Sequence, residues 1–136
     1  MILIDTHVLL GTVGVGDRLL GSEAIRFLEA NRHDLAWSAI SGWETAMLAD
    51  KGRITLSMPI TDWIDQVVAR TGIEIVPISI GIAVEAGVLP GSIHGDPGDR
   101  IVIATARMLD IPLLTADRKI LAYAAAGHLR AIDARR

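Results

Sequence analysis

Five acidic side chains stand where carboxylates can act together. Asp5 directly follows the apolar run Met1–Ile4, and Asp117 follows Leu113-Leu114-Thr115 at a distance of two residues. Glu44 lies early in a helix-like stretch, and Asp96 and Asp99 share the segment Asp96-Pro97-Gly98-Asp99. Carboxylates gathered in one place repel one another, and burying them adds a desolvation cost. A divalent cation is the usual compensation, and Mg²⁺ and Mn²⁺ favour oxygen ligands. Mg²⁺ keeps several waters and takes one or two carboxylates together with phosphate oxygens. Any remaining acids then orient metal-bound water through hydrogen bonds. The matching substrate is a phosphodiester, whose oxygens the metal polarises while supplying a hydroxide-like nucleophile near neutral pH.

Each acid taken singly also reads as a helix cap. Asp96-Pro97-Gly98-Asp99 has an N-cap, a proline at the first helical position and an acid facing the positive helix end. Ser41-Gly42-Trp43-Glu44 fits a capping box, with Glu44 reaching back to the Ser41 amide. Asp5 and Asp117 can cap the segments that follow them. Residue type and spacing leave both readings open, a metal site and a set of local caps.

The elements that would carry these acids alternate between strand and helix. Apolar runs predict strands at Met1–Ile4, Leu35–Trp37, Ile73–Ile78 and Pro112–Thr115, with a weaker one at Leu129–Ile132. Between them, helices are predicted over Ser22–Arg32, from Ser38 or Ser41 to about Lys51, and from Pro59 to Gly72. Ile60, Trp63, Ile64, Val67 and Val68 give the last of these an apolar stripe, which places Trp63 inside. Further helices are predicted over Ser79–Val88, from Asp96 to about Leu109, and from Asp117 to about Ala126. Alternating elements imply an α/β fold with a central parallel sheet and helices on both faces. Right-handed crossovers bring all the strand C-terminal ends to one edge, where sites in such sheets lie. Each of the five acids is predicted near that edge.

The chain has 136 residues, which suits a single domain spanning residues 1–136 with a core that needs no staples. Hydrophobic residues make up 51% and charged residues 21%, a globular profile that argues against disorder. Lys and Arg number 13 against 16 Asp and Glu, for a net charge of −3, which excludes a strongly basic nucleic-acid coat or a polybasic membrane binder. The absence of Cys excludes disulfides, thiol catalysis and zinc–thiolate sites. No stretch reaches the ~18 uncharged apolar residues of a membrane span. Asp5 interrupts the N-terminal run too early for a signal peptide, so a cytoplasmic protein is expected.

Four segments carry a resemblance to a known family. Ile2-Leu3-Ile4-Asp5-Thr6-His7-Val8-Leu9-Leu10 resembles the opening of a PIN-domain ribonuclease, and Ser38-Ala-Ile-Ser-Gly-Trp43-Glu44 resembles its second acidic motif. His94-Gly-Asp96-Pro97-Gly-Asp99-Arg100-Ile-Val-Ile-Ala104 is similar to the third, and Leu113-Leu114-Thr115-Ala116-Asp117 to the fourth. The motifs occur in family order across nearly the whole chain. Among PIN domains, a chain this small most resembles the VapC-type toxins of toxin–antitoxin pairs.

The resemblance implies a PIN-like three-layer α/β/α fold and a Mg²⁺-dependent endoribonuclease, with Mn²⁺ as an alternative ion. It carries the family acids over to Asp5, Glu44, Asp99 and Asp117, as catalytic and metal-binding residues. Asp5 and Asp99 are expected as ligands, and Glu44 and Asp117 as completing the cage and orienting water. Thr6, Asp96 and Thr115 are expected as auxiliary residues, the threonines fixing carboxylate rotamers. The implied partners are an RNA substrate, a cognate antitoxin whose tail covers the acidic cleft, and a second copy of the chain in a homodimer, with no membrane. Relatives often carry Trp where this chain has Gly11, which alters the expected cleft wall beside Asp5.

Other constellations are weaker. His7, His33, His94 and His128 show no zinc spacing. Gly11-Thr-Val-Gly14-Val-Gly16 lacks the Lys-Ser/Thr of a phosphate loop and reads as a flexible turn. Lys51, Arg53, Arg100, Arg118 and Lys119 are the basic residues expected to guide RNA, or else ordinary solvated charges. Trp43, Met47 and Leu48 are expected to face a partner, with the helices 41–51 and 59–70 as its dock. A degenerate module that binds RNA or protein without cutting is the alternative function. A receiver-type phosphoacceptor domain fits poorly, because Asp5 is followed by Thr6-His7 and Lys119 lies inside a helix.

Overall fold

A computed structural model describes residues 1–16 and 20–136. In chain order it contains β1 (Ile2–Ile4), α1 (Thr6–Thr12), α2 (Ser22–Ala30), β2 (Leu35–Ser38), α3 (Ala39–Asp50) and α4 (Ile60–Thr71), followed by β3 (Glu74–Val76), α5 (Ile80–Gly87), α6 (Pro97–Leu109), β4 (Leu113–Thr115), α7 (Arg118–Ala125) and β5 (Ala131–Asp133). The five strands form one sheet in the order β3-β2-β1-β4-β5, and every pairing is parallel.

Side-chain alternation along the strands divides the core into two layers. Ile2 and Ile4 of β1 and Leu114 of β4 face Leu9 and Leu10 of α1, Leu28 of α2, Leu48 of α3, and Trp63 and Val67 of α4. Leu3 and Leu113 point the other way, onto Ile82 and Ala86 of α5, Ile103 of α6 and Ile120 of α7. The result is the expected three-layer α/β/α arrangement. Truncating a fully buried side chain such as Leu114 to Ala at this density costs about 2–5 kcal/mol. Trp63 is buried, as its stripe predicts.

Three local expectations are corrected. Residues 6–12 form a helix where none was predicted. Five of the seven residues of α1 are buried, including Leu10 and Gly11, so it shows no polar face and no amphipathic signal. The turn expected over Gly11–Gly16 accordingly begins only after Thr12. Gly14 there has φ +82°, and a Cβ on Gly16 would sit 3.0 Å from Leu10 Cβ. The cap of α3 is Ser38, whose Oγ accepts from Ile40 N at 3.2 Å. Ser41 lies inside that helix and is fully buried, so there is no capping box with Glu44. β3 is shorter than the run Ile73–Ile78, because Pro77 cannot donate to the ladder.

The topology determines where a site can form. The chain adds β2 and β3 on one side of β1, then crosses to add β4 and β5 on the other. Between β1 and β4 the connections diverge to opposite faces, which leaves a crevice at the C-terminal ends of these strands. Asp5 and Thr115 stand at its two sides. No helix among the described residues is long and apolar enough to cross a membrane.

Candidate active site

The Asp5 N–H extends the ladder to Leu114 O at 3.0 Å, which fixes the Asp5 backbone against β4. The buried Asp5 side chain then caps α1: Oδ1 accepts from Thr6 N at 2.9 Å. Its other oxygen, Oδ2, accepts from Thr115 Oγ at 2.6 Å. Thr115 Oγ in turn accepts from Asp117 N at 3.1 Å, tying the β4 turn to the β1 turn. Burial pushes the Asp5 carboxyl above the usual range. The bonds from Thr115 and Thr6, with His7 nearby, oppose that push, and Asp117 adds to it.

Asp117 and Asp96 are also caps. Asp117 Oδ1 accepts from Lys119 N at 2.8 Å and Ile120 N at 3.1 Å. Asp96 Oδ1 accepts from Asp99 N at 3.2 Å, with Pro97 opening α6. Each of these two caps occupies a single carboxylate oxygen. Capping and convergence toward one edge are therefore compatible.

Glu44 projects from α3 toward the same edge. Its carboxyl lies 3.8 Å from His7 Nε2. A Cβ placed on Gly98 would meet Asp96 Oδ1 at 3.3 Å and Glu44 Oε1 at 3.7 Å, so both carboxylates lie over that glycine. Burial raises the Glu44 carboxyl; His7 and a hydrogen bond from Thr6 lower it, while Asp5 and Asp96 raise it further. The Thr6 hydroxyl is itself held 2.7 Å from Ser41 Oγ.

Asp99, in the first turn of α6, stands at the electrostatic centre. Its carboxyl is pushed up to about 7, first by burial and then by Asp5, Asp96, Asp117 and Glu44. Four other carboxylates thus lie within electrostatic range of Asp99. Among the described residues, no Lys or Arg forms an ion pair with any of the five.

Two residues enter the site in ways that spacing did not reveal. His94 Nδ1 accepts from Asp96 N at 3.3 Å, and its Nε2 lies 3.2 Å from Asp99 Oδ2. That approach is close but lacks hydrogen-bond alignment. The two acids that follow His94 in sequence are the local sign of that placement. Arg100 is corrected in the other direction: it is not free to guide RNA. Its Nε donates to Ala86 O at 2.9 Å, and Nη1 reaches Ile93 O and His94 O at 3.5 Å, so it clamps the loop before α6. Leu48, expected at a partner surface, is buried in the core, whereas Trp43 is 58% exposed.

A hard divalent cation suits this donor set. The available donor atoms are carboxylate oxygens, no Lys or Arg pairs with them among the described residues, and burial makes their charge costly. Among the described residues, no three acidic or imidazole side chains converge to enclose an ion.

A family model described as "PIN domain" matches residues 2–126. The chain is 35% identical over 124 residues to ribonuclease VapC22 of Mycobacterium tuberculosis, covering 90% of this chain and 91% of that one. Among solved structures it resembles a toxin–antitoxin complex from Klebsiella pneumoniae, with TM-score 0.64 and 26% identity over 90% of this chain and 91% of that one. It also shares its fold with VapBC2 from Rickettsia felis bound to a promoter DNA fragment, at TM-score 0.70 and 18% identity, over 98% of both chains.

Proposed function

The chain belongs to the PIN-domain family, and on that premise we propose that it is a divalent-metal-dependent endoribonuclease acting as the toxin of a toxin–antitoxin pair. The observation that carries the proposal is the cluster of buried Asp5 with half-buried Glu44, Asp99 and Asp117 around one crevice, with no Lys or Arg paired to them among the described residues and Asp99 pushed up to about 7. The relation to ribonuclease VapC22 supports the substrate class.

Mg²⁺ or Mn²⁺, when bound, polarises a phosphoryl oxygen and activates water. Asp5 and Asp99 are the residues that would hold it. Thr115 fixes the rotamer of Asp5 through the bond to Oδ2. Glu44 and Asp117 orient the attacking water and accept its proton. Asp96 holds the start of α6, and with it Asp99, in register. Removing water from these carboxylates favours the cation, because neutralising them recovers the cost of their burial.

The partner proposals rest on exposed apolar surface. Trp43 and Met47 line a groove of about 600 Å³ that also contains Glu44, His7 and Asp96. An apolar antitoxin segment seated there would cover the acids. Ile80 and Val84 of α5 and its C-cap Val88 are exposed at helical spacing, and exposed Met108 lies against Gly81 of the same helix. We assign this stripe to a homodimer contact, since apolar patches of this kind mark interfaces.

The reading is tested by incubating the purified chain with a mixed-sequence RNA and Mg²⁺ or Mn²⁺. Endonucleolytic products that disappear with EDTA are expected. An RNA bound but left intact at every metal concentration would instead identify a degenerate binding module.

A further inference from the structure

Beside the acids lies a second cavity that the cleavage chemistry does not use. It measures about 400 Å³ and opens between the loop before α6 and the exposed face of α7. Ile93, Ala122 and Tyr123 give it an apolar lining, and His94 and Lys119 line it as well. These last two are joined to the acid cluster. His94 lies 3.2 Å from Asp99, and the backbone N–H of Lys119 donates to Asp117 at 2.8 Å. A ligand in the cavity is therefore one side chain away from two of the acids.

The wall of the cavity is held in place. The Tyr123 and His128 rings stack with centroids 4.3 Å apart, and the Tyr123 hydroxyl donates to Pro90 O. Gly91 has φ +71°, and a Cβ there would fall 2.6 Å from His128 Nε2, so the loop passes close under that ring. Arg100 secures the same loop through Ala86, Ile93 and His94 carbonyls. Lys119 forms no ion pair among the described residues. A preformed apolar pocket with a few polar groups at its mouth and a free cation suits a flat heterocycle joined to a phosphate.

We propose that this cavity is a nucleotide subsite, which takes the base of one nucleotide flanking the scissile phosphate while Lys119 contacts the adjoining phosphate. The inference rests on the ribonuclease reading and adds to it a position at which RNA sequence or shape is sensed. RNA is read mainly through unstacked single-stranded bases, which such a pocket accepts.

Ala122 is exposed on α7, so Ala122→Trp fills the cavity without touching an acid. The test pairs this variant with short RNAs carrying one abasic ribose on either side of the mapped cleavage site. For the unmodified protein, removing the base on one side lowers kcat/KM about tenfold, and removing it on the other does little. Ala122→Trp loses about as much on intact RNA, no longer distinguishes the abasic RNA, and binds Mn²⁺ as the unmodified protein does. Equal cleavage of all three RNAs by the unmodified protein overturns the subsite, and that result needs no variant. Unimpaired RNA cleavage by Ala122→Trp also overturns it, even if antitoxin binding is weakened. If the unmodified protein cuts no RNA, the ribonuclease reading itself fails and the subsite falls with it.

Discussion

The hydroxyl of Thr115 donates to Oδ2 of Asp5 at 2.6 Å, joining residues 110 positions apart in the chain. The bond spans the crevice between β1 and β4 and holds Oδ2, while Thr6 N holds Oδ1 at 2.9 Å. Thr115→Val keeps the shape, deletes the donor, and leaves Asp117 N–H without its acceptor as well. A loss of about 1–3 kcal/mol in unfolding free energy is expected from urea titration. Metal-dependent cleavage should fall about tenfold, as for other residues that orient a metal ligand. Thr115→Ser should restore most of both. A fully active, fully stable Thr115→Val protein would show that the bond orients nothing.

Asp5→Asn separates the two jobs of that side chain. The amide oxygen still accepts from Thr6 N, so α1 remains capped. The negative charge, which burial disfavours, is gone. RNA cleavage should drop to background while the thermal midpoint stays level or rises. Retained cleavage would remove Asp5 from the metal site, and unfolding would show that its role is structural.

The pH dependence of stability has a definite direction. Asp99 has its carboxyl near 7 in the folded chain, against 3.8 for a free aspartate. Between those values the folded protein holds a proton that the unfolded chain has lost, so stability falls as pH rises from about 4 to 7. Mg²⁺ competes with that proton, so the stabilisation by Mg²⁺ should grow over the same interval. Thermal melts from pH 5 to 8, with and without Mg²⁺, check both slopes. Asp99→Asn should flatten them, and an unchanged slope in that variant would place the coupling elsewhere.

Much of this architecture was legible in the chain. The strands read as apolar runs because a parallel sheet covered on both faces needs no alternation, and the acids lay at the run ends because functional groups in such sheets gather there. The helix α1 was not legible, since burial of Leu9, Leu10 and Gly11 erased the polar face by which a helix is recognised. The capping box at Ser41 fails for a related reason: Ser38, the last residue of β2, is itself the cap of α3, and Ser41 is turned inward to Thr6. The link between Thr115 and Asp5, and the place of His94 between two acids and a cavity, depend on strand register and loop path. Neither is encoded in local spacing.

Val84 offers a test of assembly. It is 58% exposed at the centre of the Ile80–Val88 stripe. Val84→Glu should convert a dimer to a monomer in sedimentation velocity while leaving the melting temperature nearly unchanged, because the side chain contributes little to the core. A protein that is already monomeric would remove the homodimer, and a variant that still dimerises would move its interface off α5.

Whether the acids act as one metal site on RNA decides the proposed function. The most direct measurement is RNA cleavage by the purified chain and by Asp99→Asn, each titrated with Mn²⁺ and then quenched with EDTA. Cleavage that rises with Mn²⁺, stops with EDTA and is absent from the variant at every Mn²⁺ concentration is the predicted result. Cleavage that ignores EDTA, or that Asp99→Asn performs as well as the unmodified protein, would contradict it.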